Sequence, residues 1–128
     1  NAGIARFLQR TIETLLHKPF ADESLPIVDA KFERTGNSLS AVEERIWSPK
    51  DEIILTWWDF MAPFVLTMPP GAMNRPLGVY STFIPARAAQ LSVNGEAAPG
   101  KVFPQERGGR PSSSCVLAWS ETWVKPRG

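Results

Sequence analysis

The feature that most constrains this chain is a change of hydrophobic period at Pro19. Before it, Ile4, Leu8, Ile12 and Leu15 recur at helical spacing, with Ala5 and Leu16 widening the stripe. That is the pattern of an amphipathic helix turning one face to a core. Arg6, Arg10, Glu13 and Lys18 fall mostly on the other side. Asn1 is a good N-cap residue type, and His17 and Lys18 in the last turn would meet the negative end of the helix dipole. Proline cannot continue a helix interior, so the spacing predicts a helix over 2–18 within a helical segment 1–19.

Beyond the acidic linker Ala21–Ser24 the period falls to two. Val28, Ala30 and Phe32 alternate with Asp29, Lys31 and Glu33, which predicts a half-buried strand. A turn at Thr35–Ser38 leads to a second strand over Leu39–Trp47, and Ser48-Pro49-Lys50-Asp51 turns again. Ile53–Phe60 is apolar on both faces and is expected to lie centrally, covered on one side by the helix. Phe64–Met68, Leu77–Ile84, Ala89–Val93 and Cys115–Val124 are the remaining strands. Asn94-Gly95 between two strand-like runs is the preferred two-residue hairpin turn, because both positions need positive φ. Loops are expected at 69–76, stiffened by proline, and at 105–114, which is glycine-rich and expected to be mobile. A single domain over 1–128 follows, with strands between 25 and 124. Its class is α+β: one N-terminal helix packed against a strongly curved, mainly antiparallel sheet, or a partly closed barrel, of about seven strands.

Composition narrows the function classes. A net charge of +1 over 128 residues lacks the basic excess of a general nucleic-acid binder, so no nucleic-acid partner is expected. The charge is nonetheless uneven: residues 1–64 hold seven Lys/Arg against ten Asp/Glu, and residues 65–128 hold seven against three. No stretch approaches the roughly 20 apolar residues of a helical membrane span. Opening on Asn1 instead of Met, the chain is expected to follow an upstream segment that was removed. One cysteine, Cys115, forbids an intramolecular disulfide. With one His and one Cys far apart, no metal set is expected and no cofactor is implied. His17 has no visible nucleophile to serve, and Arg107-Gly108-Gly109-Arg110 lacks the spacing of a phosphate loop.

Two features remain as candidate sites. Five Trp and seven Phe demand either an aromatic core or an aromatic-walled cavity. In Trp57-Trp58-Asp59-Phe60, Trp57 and Asp59 share a strand face, and Trp119, Glu121 and Trp123 repeat the arrangement on the last strand. If those strands are neighbours, Asp59 and Glu121 are the candidate acid–base groups of one aromatic pocket. Trp57, Tyr80, Arg87, Trp119 and Trp123 would then hold a small apolar or aromatic ligand. The second feature is a rigid apolar loop around Met68, Pro69, Pro70 and Met73, which with Arg107 and Arg110 could meet a protein partner or a second copy of the chain. The leading expectation is a non-catalytic binding or structural module, an accessory subunit of a larger assembly. The alternative is a small-molecule barrel or small enzyme.

Overall fold

The computed structural model describes residues 1–14, 18–74 and 76–124. His17, read from sequence as a helix-end charge, lies outside the described residues, as do Leu15 and Leu16. The fold is α+β, one N-terminal helix and a mostly antiparallel sheet.

Helix α1 (Ala2–Leu8) is capped as its sequence predicts: Asn1 Oδ1 accepts from the backbone N–H of Gly3 at 2.9 Å and of Ile4 at 3.3 Å. It widens into a π-helical turn over Gln9–Glu13. There the Thr11 and Thr14 hydroxyls bond back to the carbonyls of Phe7 and Arg10, a competition that loosens and bends helices. Pro19 falls inside a 3₁₀ turn, Lys18–Ala21, and the chain then doubles back. Arg6 Nη2 donates to the Leu25 carbonyl at 3.1 Å, and Gln9 Nε2 to those of Phe20 at 2.9 Å and Asp22 at 3.1 Å. Arg10 pairs with Glu23, Nη2 to Oε2 3.0 Å. These partners hold the helix to the segment after it. No residue of α1 or of the π turn is buried, and the side of the stripe carrying Ile4 and Phe7 faces water.

Among the described residues nine strands follow: β1 (Lys31–Gly36), β2 (Ala41–Trp47), β3 (Glu52–Phe60), β4 (Phe64–Met68), β5 (Leu77–Val93), β6 (Glu96–Ala97), β7 (Pro104–Arg107), β8 (Arg110–Ser113) and β9 (Val116–Val124). Seven make one sheet, in the order β1-β2-β3-β5-β4 with β6 and β9 also on β5, and it is not closed into a barrel. β3 is central in the strand order, as expected, but none of its residues is fully buried and Trp58 is exposed, so its two apolar faces are not both covered. The first strand differs from expectation: it begins at Lys31, not near Val28, and is exposed along its whole length. It lies at the sheet edge, where Lys31, Glu33 and Arg34 discourage further pairing.

Two strands expected on either side of Pro85 are instead the single 17-residue β5. Its first half pairs with β4 and β9, its second with β3 and β6. Pro85 is tolerated because it sits where the pairing changes partner, and its carbonyl still accepts the Met61 N–H at 2.8 Å. The Asn94-Gly95 turn forms as read, with φ of 51° and 83° joining Val93 to Glu96. The expected loop 105–114 is corrected: most of it is the β7–β8 hairpin, closed by Gly108-Gly109. Both glycines have positive φ, 55° and 72°, so the pair makes the same kind of tight turn as Asn-Gly. The hairpin lies over one face of the β4–β5 pair. Arg107 sits 5.9 Å from the Phe83 ring centroid, and Phe83 stacks on Phe64 at 5.6 Å.

Candidate functional site

The sheet bends at Asp59. This residue has φ +53° inside a strand, a left-handed conformation that Asp tolerates better than most side chains. In an unbroken strand, residues three apart face opposite sides, yet Trp57 and Phe60 both pack on the cluster of Val42, Ile84 and Leu117. The left-handed backbone at Asp59 breaks that alternation without adding a residue, since Trp58 stays opposite Ala88 and Phe60 opposite Ala86. The cluster draws on β2, β5 and β9, so the sheet curls over it. Arg34 of β1 reaches Trp119 of β9 across the curl, its guanidinium carbon 5.2 Å from the ring centroid. Arg34 Nε also donates to Glu44 at 2.9 Å.

This geometry separates the two candidate carboxylates. Asp59 lies beside Arg87, Oδ1 to Nη1 3.3 Å, and both side chains are 58% exposed. Glu121 is exposed opposite Tyr80 on the β5–β9 ladder. Arg87 and Tyr80 are seven residues apart on β5, roughly 23 Å along a strand, and β3 and β9 flank opposite edges of β5. The single aromatic pocket built from both acids does not form. The strands are neighbours of a common strand, not of each other, and the register carries the carboxylates to opposite ends.

The aromatic candidates divide in the same way. Trp57 packs on the core cluster and also lines a groove of about 450 Å³ between β3, β5 and residues 97–102. Leu55, Trp58, Leu91, Lys101 and Cys115 share that groove. Trp119 stands opposite Thr82 and is half exposed. Trp123 lies over Gly78: a Cβ added at that glycine would come within 2.4 Å of the indole and 2.7 Å of Pro70 Cδ. Pro70 is thus packed down, whereas Pro69 is exposed and Met68 is at the margin of exposure. The side chain of Met73 lies outside the described set.

Of the two loop arginines, Arg107 covers Phe83, as above. Arg110 lines a small cavity of about 190 Å³ together with Arg87. Sequence reading singled out both Arg87 and Arg110 but had no means of pairing them, because the pairing depends on where the hairpin lies. It missed Arg34 and Glu44, whose only sequence signal was charge on an alternating strand.

Among the described residues, no three His, Cys, Asp or Glu side chains converge as a metal set. No described helix is long and apolar enough to cross a membrane. The hydrogen bond from Arg10 holds the Glu23 carboxyl below its ordinary range and raises the Arg10 guanidinium in turn. Hydrogen bonds from Ser24 lower Asp22. The chain matches no known family model, no curated protein and no solved structure.

Proposed function

We propose that this domain is a non-catalytic binding module, an accessory part of a larger assembly whose apolar surface is covered by a protein partner or by a second copy. One observation carries the reading. A folded monomer of 14.2 kDa is expected to expose about 6,800 Å², and this one exposes 9297 Å². The surplus, roughly 2,500 Å², is the area one chain buries in a large obligate interface. Its chemistry agrees. Among the described residues only Val42, Phe64, Ile84, Ala86 and Leu117 are buried hydrophobics, while Ile4, Phe7, Phe20, Val28, Phe32 and Phe103 are each more than half exposed.

A second reading, a small-molecule site, is favoured by the groove containing Trp57 and Trp58. Its volume of about 450 Å³ falls within the range of small-ligand sites. Neither Asp59 nor Glu121 lines it, so what supports this reading is binding, not acid–base chemistry.

One experiment separates the two. Light scattering on the purified chain is paired with acrylamide quenching of the tryptophans. The binding-module reading expects a stable assembly, or a stoichiometric co-purifying protein, that shields Trp119 and Trp123. A monomer at high concentration whose quenching changes only when small aromatic compounds are added would overturn it in favour of the groove.

A further inference from the structure

We propose that Arg87 and Arg110 form a two-pronged clamp for a single oxyanion, the carboxylate or phosphate group of a small molecule. This site is separate from the apolar surface on which the binding-module reading rests. The two arginines come from different parts of the chain, the middle of β5 and the first residue of β8, and both line one cavity of about 190 Å³. Its other walls are the turn 61–64 and Pro111. That volume is below the roughly 300 Å³ at which small-ligand pockets begin, so it suits one charged group and not a whole drug-sized molecule.

The charges in the cavity are incompletely matched. Arg87 has one carboxylate contact, to Asp59, at the long distance of 3.3 Å. A guanidinium carries five donors, and this contact engages one of them. Among the described residues the Arg110 side chain has no ion pair and no hydrogen bond. Two like charges beside apolar walls repel each other. An oxyanion between them removes that repulsion and accepts charge-assisted hydrogen bonds in the fork geometry for which arginine is suited.

The frame that presents the clamp is fixed before any ligand arrives. Arg87 follows Pro85 and Ala86, both buried, Ala86 completely. Arg110 follows the tight Gly108-Gly109 turn and precedes the buried pair Ser112 and Ser113. Asp59, across from Arg87 in the β3–β5 register, sets a carboxylate beside it, which makes Asp59 a positioning residue. A preformed frame loses little freedom on binding.

The test titrates the chain with sodium phosphate, and separately with sodium acetate, at constant ionic strength held with sodium chloride. It follows the thermal midpoint and the ³¹P line width. Phosphate is expected to raise the midpoint and saturate. Arg110→Gln is expected to weaken binding about tenfold, the worth of one charge-assisted hydrogen bond. Arg87→Lys, which keeps the charge but loses the fork, is expected to weaken it less. Lys50→Gln, a charge removed in the exposed 48–51 turn, is expected to leave it unchanged. Far-UV circular dichroism establishes that each variant is folded. The proposal is overturned if neither anion binds better than chloride, or if Arg110→Gln binds as the parent does. A loss with Lys50→Gln equal to that with Arg110→Gln overturns it too, because binding would then track total charge.

Discussion

The N-terminal arm and the corner of the sheet carry equally strong hydrophobic patterns and do opposite things with them. At the corner, Val42, Ile84 and Leu117 come from three strands distant in sequence and are buried. In the arm, Ile4, Leu8 and Ile12 keep helical spacing, yet none is buried, and the segment is held by arginine and glutamine side chains bonding to backbone carbonyls and to Glu23. A periodic apolar stripe therefore specifies that a face should be covered, not what covers it. The sheet covers its own corner by bending. The arm leaves its described stripe uncovered, which is why the surplus surface carries the proposed reading.

That contrast can be broken most sharply at the corner. Leu117→Ala is expected to cost about 2–5 kcal/mol, as large-to-small changes in a packed core do. Phe7→Ser in the arm should fall within about 0.5 kcal/mol of the parent; urea denaturation compares them directly. Equal costs would mean that the arm's stripe is packed in solution, and the contrast would fail. Next in size is Gly36→Ala. Gly36 has φ +87°, and a Cβ there would lie 2.0 Å from the Ala41 carbonyl oxygen. The β1–β2 turn must then shift, at a cost of order 1–3 kcal/mol, read in the same denaturation series.

The smallest expected effect sharpens the arm's side of the comparison. Glu23 has a folded-state pKa below its ordinary value because Arg10 donates to it, with Arg6 contributing. The stability this gives is complete above the ordinary value and is lost as pH falls through the lowered one. Protection of the amides of residues 2–13, taken relative to the intrinsic exchange rate at each pH, should therefore fall on acidification before the sheet's does. Arg10→Gln should make arm exchange faster at neutral pH and remove that step. Should the arm and the sheet lose protection together, the arm is part of the cooperative unit.

Much of the fold was legible because it is local. Asn1 as a cap, Phe64–Met68 as a strand and Asn94-Gly95 as a turn each depend on a few adjacent residues whose dihedral preferences agree. The hairpin at Gly108-Gly109 was equally local and was missed: its flanking residues, Arg107 and Arg110, read as solvated loop. Pro85 misled in the other direction, since a proline usually ends a strand and here marks a change of strand partner within one. The candidate site was far less legible. Whether Asp59 meets Glu121 or Arg87 depends on register, and a register joins residues that no spacing in the sequence links.

Residue by residue, the sequence determined the helix cap, the alternation of the strands, the central place of β3 and the abundance of aromatic rings. These follow from short-range sterics and from the demand that apolar surface leave water. Only the tertiary structure decided that the β3 backbone turns left-handed at Asp59, that Arg34 reaches Trp119 across the curl, and that Arg87 and Arg110 line one cavity. Such contacts arise from strand order and bend, set by the packing of the whole sheet and encoded in no single segment.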